Sequence, residues 1–92
     1  MNETEQRICD CIDAHAQQLI AFAEDIYSHA ELGYTEHRTA EQVTDWLTAC
    51  GLEIQTGLAN TGVKASLGTQ SPSICLIGEL DGIRSPEHPL AV

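Results

Sequence analysis

The chain predicts an α/β fold: two helices packed on a three-stranded, largely antiparallel sheet. Three observations predict it. Apolar residues recur at helical spacing through the first half; two stretches after Gly51 alternate apolar and polar; and an apolar run of strand length, Ile74-Cys75-Leu76-Ile77, leads into Gly78-Glu79-Leu80-Asp81-Gly82. The order helix, helix, strand, strand, strand reads as an antiparallel meander with helices on one or both faces.

The first helix is expected over residues 4–28. Ile8, Ile12, His15, Leu19, Phe22 and Ile26 follow one another at steps of four and three, which places them on one stripe. Glu3 and Glu5 put negative charge at the positive end of the helix dipole, and the alanine-rich centre has high helix propensity. Gly33 marks a turn, and Thr35 is the expected N-cap of a second helix over residues 36–50. Ala40, Val43, Trp46, Leu47 and Cys50 form its apolar stripe, and Gly51 stands in the C′ position that ends it. Residues 52–56 and 63–67 then read as strands with one covered face, joined through a turn at Asn60-Thr61-Gly62. Gly68-Thr69-Gln70-Ser71-Pro72 reads as a second loop. Residues 74–80 are apolar on both parities, as expected of an interior strand covered on both faces. The tail after Arg84 is punctuated by Pro86 and Pro89 and predicts no element.

Ninety-two residues make a single domain or part of one. Four Lys plus Arg against fourteen Asp plus Glu give a formal net charge of −10. Such a surface repels phosphate backbones and offers no basic patch to an anionic membrane, so neither nucleic acid nor membrane is expected as a partner. The acidity reads as solubility. The N-terminus has no basic segment followed by a long apolar one, so no signal peptide or membrane span is expected. Cys9, Cys11, Cys50 and Cys75 then read as reduced thiols of a cytoplasmic protein.

Glu79 and Asp81 are two positions apart where a strand ends, so both would point to one face. Paired carboxylates of this kind can hold a divalent metal, or orient a metal-bound imidazole, or sit idle in solvent. Cys11 and His15 have the i, i+4 spacing that can share a zinc ion, but His15 lies on the apolar stripe and reads as a hydrogen-bonded core residue. Cys9 and Cys11 would point away from one another on a helix. His29, His37 and His88 read as surface residues.

Three stretches together resemble a known family. They are Ile26-Tyr27-Ser28-His29-Ala30-Glu31-Leu32-Gly33-Tyr34-Thr35-Glu36 with Thr39-Ala40 following, then Gly57-Leu58-Ala59-Asn60-Thr61-Gly62-Val63-Lys64-Ala65-Ser66-Leu67-Gly68, then Leu76-Ile77-Gly78-Glu79-Leu80-Asp81-Gly82-Ile83. In that order and spacing they look like the N-terminus of the M20 metallopeptidase and amidohydrolase family, in the branch of aminobenzoyl-glutamate hydrolases, N-acyl-amino-acid amidohydrolases and related metal-dependent carboxypeptidases. The resemblance implies the N-terminal portion of a zinc-peptidase-like α/β catalytic domain. It implies hydrolysis of an amide bond in an N-acyl or aminobenzoyl amino acid or a short peptide, with one or two zinc or manganese ions activating water. Asp81 matches the aspartate that orients a metal-bound histidine in that family. Glu79 stands where many relatives carry a histidine ligand, which leaves it a weaker candidate.

The chain departs from the family pattern at Tyr27 and Ala30, where many relatives carry histidine and proline, and at Gly82-Ile83-Arg84, where Ala-Leu-Pro is usual. The Cys-Gly-His ligand segment, the bridging carboxylate and the general-base glutamate are all expected beyond Val92. The chain is therefore expected to be an inactive N-terminal piece of a longer enzyme, holding no metal alone. It would leave apolar surface open beside residues 74–80, which self-association into a homo-oligomer could cover. The competing expectation is a standalone, non-catalytic acidic interaction or dimerisation domain.

Overall fold

The computed structural model of the chain describes residues 1–68, 74–85 and 87–90. The class is α/β, but with three helices and a two-stranded sheet: α1 (Glu3–Ala14), α2 (Ala16–Ser28), α3 (His37–Ala49), β1 (Glu53–Leu58) and β2 (Gly62–Ser66).

The long helix expected over residues 4–28 is two helices, and His15 divides them. In an unbroken helix the His15 N–H would donate to the Cys11 carbonyl. Here the imidazole Nδ1 lies 2.9 Å from that oxygen and takes its place, while the backbone N–H moves to the Ile12 carbonyl at 3.1 Å. The backbone at His15 leaves helical geometry (φ −110°, ψ 9°), and α2 restarts with Leu19 donating to the His15 carbonyl. His29 ends α2 in the same way. Its Nδ1 contacts the Asp25 carbonyl at 2.9 Å and its N–H turns to Ile26. His15 is therefore an exposed break, not the core residue its place on the stripe predicts. The start of α1 follows expectation more closely: the Asn2 side chain accepts the Glu5 N–H at 2.8 Å, with Glu3 and Glu5 in the first turn.

Between α2 and α3 the chain turns at residues 32–35. The left-handed residue is Tyr34 (φ 65°), not the neighbouring Gly33. Thr35 does not cap α3. Its hydroxyl donates back to the Leu32 carbonyl at 2.8 Å and closes the turn, so α3 begins one residue later, with Glu36 in the cap position. At the other end Gly51 takes φ 79°. Its N–H donates to Thr48 and the Leu52 N–H to Leu47, which is the paired bonding of a Schellman end.

The strands β1 and β2 pair antiparallel in the register Glu53↔Ser66, Ile54↔Ala65, Gln55↔Lys64 and Leu58↔Gly62, with a bulge between Gln55 and Leu58. Ala59 and Asn60, both at positive φ, make the turn. The helix α3 packs on both strands, and the ring of Trp46 meets that of Phe22 at 4.7 Å to bring in α2.

The third expected strand does not form. Residues 74–85 carry no regular structure, and Ile74, Leu76 and Ile77 are 89–95% exposed; Ser73 and residues 69–72 of the preceding loop lie outside the described residues. The physical reason is coverage. A strand that is apolar on both faces needs a layer on each side and a hydrogen-bonding neighbour, and the described elements supply neither. Among the described residues no apolar side chain is buried; the buried ones are Glu36, Thr39 and Thr61. The accessible surface is 7851 Å², against about 5200 Å² for a compact monomer of this mass. The radius of gyration is 15.6 Å, against about 12 Å for a compact domain of this length.

Candidate functional site

The three stretches that carry the family resemblance meet in space, and two glutamates of the first stretch join them. Glu31 sits in the turn after α2. One of its carboxylate oxygens accepts the Thr39 N–H at 2.6 Å and the other the Arg38 N–H at 3.1 Å. These are free donors at the start of α3, so Glu31 caps a helix that Glu36, the residue in the cap position, leaves uncapped. Burial pushes the Glu31 carboxyl up, but the backbone N–H groups of Thr39 and Arg38, with His37 nearby, outweigh it and hold the group below the ordinary glutamate range. Glu36 turns the other way. Its Oε1 accepts the hydroxyl of Thr61, in the second stretch, at 3.0 Å, and both residues are buried. The third stretch is tied to the first by its backbone: the Gly82 N–H donates to the Glu31 carbonyl at 2.7 Å. An ion pair braces the same corner, with Arg38 Nη2 2.9 Å from both carboxylate oxygens of Asp25.

Asp81 precedes Gly82 and is exposed at this junction. Its Oδ2 lies 4.0 Å from where a Cβ on Gly33 would stand. A side chain at Gly82 would be tight: its Cβ would stand 3.2 Å from Ala30 Cβ, so Ala30 would have to give by a few tenths of an ångström. Ala30 and Gly82 are two of the positions at which the chain departs from the family pattern, so those departures are small residues facing one another. Glu79 is exposed, and the strand that would put it on one face with Asp81 is not formed. Behind Asp81 an open groove runs between the end of α2 and the following segment, lined by Tyr27, Leu32, Ile83, Arg84, His88 and Leu90. The Tyr27 hydroxyl donates to the Leu90 carbonyl across it.

Among the described residues no three His, Cys, Asp or Glu side chains converge as a metal centre would require. Cys11 Sγ does lie 3.9 Å from His15 Nδ1, as the spacing suggests, but that nitrogen is engaged with the Cys11 carbonyl. The four cysteines are free thiols. Asp81 is a single carboxylate placed beside a turn. No helix among the described residues is long and apolar enough to cross a membrane.

Reading single residues for chemistry misses Glu31, Glu36 and Thr61, which organise this junction. The signal was present as two glutamates flanking a helix start, but a Thr-Glu pair just before the helix invites the nearer residue to be read as the cap.

The chain is similar to one of the subunits of p-aminobenzoyl-glutamate hydrolase from Escherichia coli (strain K12). The two are 31% identical over 85 residues, covering 90% of this chain and 18% of the relative. The chain thus spans under a fifth of the length of the curated relative it matches. This supports an amidohydrolase-like relationship. No family model matches the chain, and no solved structure gives a significant match.

Proposed function

We propose that this chain forms the N-terminal portion of the catalytic domain of a metal-dependent amidohydrolase of the M20 type. Its substrate class is an N-acyl or aminobenzoyl amino acid or a short peptide. The observation that carries this reading is the identity of 31% over 85 residues with a hydrolase polypeptide, and the meeting of the three motif stretches around Glu31 and Glu36 supports it. A divalent zinc or manganese ion would polarise water and the scissile carbonyl, and its ligands and the general base would come from outside these residues. Within the chain, Asp81 is the orienting group for a metal-bound histidine, Glu79 a weaker candidate ligand, and the unpaired run 74–80 the strand that the rest of the domain covers. Residues 1–92 alone would then be inactive. The test is the coding sequence downstream of Val92 in the source genome, followed by substitution of Asp81. A Cys-Gly-His segment and an Asp81→Asn enzyme impaired by at least an order of magnitude are expected. A stop codon directly after Val92 sinks the reading.

A second reading has its own support. The relative is one polypeptide of a multi-subunit hydrolase, and the apolar run at Ile74, Leu76 and Ile77 is exposed. Together these also fit a non-catalytic acidic module that docks on another polypeptide or on a second copy of itself. That module would be monodisperse and would unfold cooperatively on its own.

A further inference from the structure

We propose that Glu31 is the positioning residue that fixes where Asp81 sits. The proposal rests on the reading of Asp81 as an orienting group and adds the residue through which the fold holds it. Glu31 is fixed at two points. Its carboxylate is fastened to the start of α3 by the N–H groups of Arg38 and Thr39, and its carbonyl accepts the N–H of Gly82, the residue after Asp81. Among the described residues, the Gly82 bond is the one hydrogen bond that ties residues 74–85 to the rest of the fold, at the turn between α2 and α3. The absence of a Cβ on Gly82 eases that approach, since one would stand 3.2 Å from Ala30 Cβ. Two residues beyond Glu31, the bare backbone of Gly33 faces the Asp81 carboxylate. Glu31 thus sets both the anchor of the Asp81 backbone and the wall beside its side chain. Releasing its carboxylate from α3 frees residues 31–33, and with them the anchor and the wall together. A helix cap alone requires none of this, because the carboxylate would serve α3 equally well without a carbonyl aimed at Gly82.

The test uses the polypeptide as its own cells make it, with hydrogen exchange read by mass spectrometry on peptides covering residues 80–85 and β2. Glu31→Gln keeps the size of the side chain and loses its charge; Gly82→Ala disturbs the same contact from the other side. Each is expected to speed exchange at residue 82 about tenfold, the worth of one hydrogen bond, with β2 unchanged. Asp25→Asn breaks the neighbouring ion pair without touching Glu31, and is expected to leave residue 82 as it was. Hydrolysis of an aminobenzoyl or N-acyl amino acid supplies the second readout. Glu31→Gln is expected to lower kcat with KM kept, in the direction of Asp81→Asn but less. Unchanged exchange at residue 82 in Glu31→Gln overturns the proposal, and so does equal acceleration by Asp25→Asn. If Asp81→Asn leaves hydrolysis intact while Glu31→Gln still loosens residue 82, the reading of Asp81 fails and the clamp stands. If Asp81→Asn abolishes hydrolysis while Glu31→Gln alters neither exchange nor kcat, the clamp fails and the reading stands.

Discussion

Two buried or half-buried glutamates do the joining that apolar side chains do in most small domains. Glu36 and Thr61 share a hydrogen bond out of solvent, and removing one partner of a buried pair leaves the other unsatisfied. Thr61→Val is therefore expected to destabilise the packing of the hairpin on α3 by about 1–3 kcal/mol, measured by urea unfolding. Glu31 acts at the start of α3. Replacing it by alanine removes the acceptor for two free N–H groups and is expected to cost about 1 kcal/mol, as the loss of a helix cap does. Its pH dependence has a definite sign. The folded state holds the Glu31 carboxyl below its ordinary value, so its contribution is complete above the ordinary glutamate range. It fades as pH falls through that depressed value. Stability measured across the acid limb should show this component in the wild type and lack it in Glu31→Gln.

At the scale of elements, His15 decides that there are three helices and not two. Its imidazole captures the carbonyl that its own N–H would use. His15→Ala removes the competitor and supplies the residue with the highest helix propensity. It is expected to join α1 and α2 into one helix, seen as a gain of helical signal in circular dichroism and helical carbon shifts through residue 15. Local rules written in the sequence were legible. α3 ends at Gly51 as its glycine predicts, and two antiparallel strands form within two residues of the expected ranges, although burial does not alternate along β1 and Cys50 of the expected stripe is exposed. What was not legible depended on competition or on layers. A histidine at a stripe position gives no sign that its side chain will outbid its backbone. The strand character of Ile74 to Leu80 is real as a pattern, but strands form by pairing, and no strand among the described residues pairs with it. The site followed the same division. Asp81 lies at the meeting point of the three motifs, yet the residues that hold that point, Glu31 and Glu36, act across 25 to 51 positions of sequence.

For the whole molecule, the apolar surface is the dominant fact. No apolar side chain is buried among the described residues, and the accessible area exceeds that of a compact monomer by roughly half. A chain in this state gains only part of the main favourable term of folding, through half-buried side chains such as Phe22 and Trp46. Residues 1–92 expressed alone are expected to unfold over a broad denaturant range, to bind a hydrophobic dye, or to self-associate through the run at Ile74 to Ile77. A sharp, dye-free, monomeric transition would contradict that expectation. In the amidohydrolase reading, the same surface is what the remainder of the catalytic domain covers.

The measurement that bears most directly on this account is hydrolysis of p-aminobenzoyl-glutamate and of a panel of N-acyl amino acids. It compares the polypeptide as its own cells make it with residues 1–92 alone, before and after chelation. The account predicts hydrolysis by the former that chelation abolishes and zinc or manganese restores, and none by residues 1–92. Hydrolysis by residues 1–92 on their own, or no hydrolysis of any of these amides by the metal-loaded polypeptide, would contradict it.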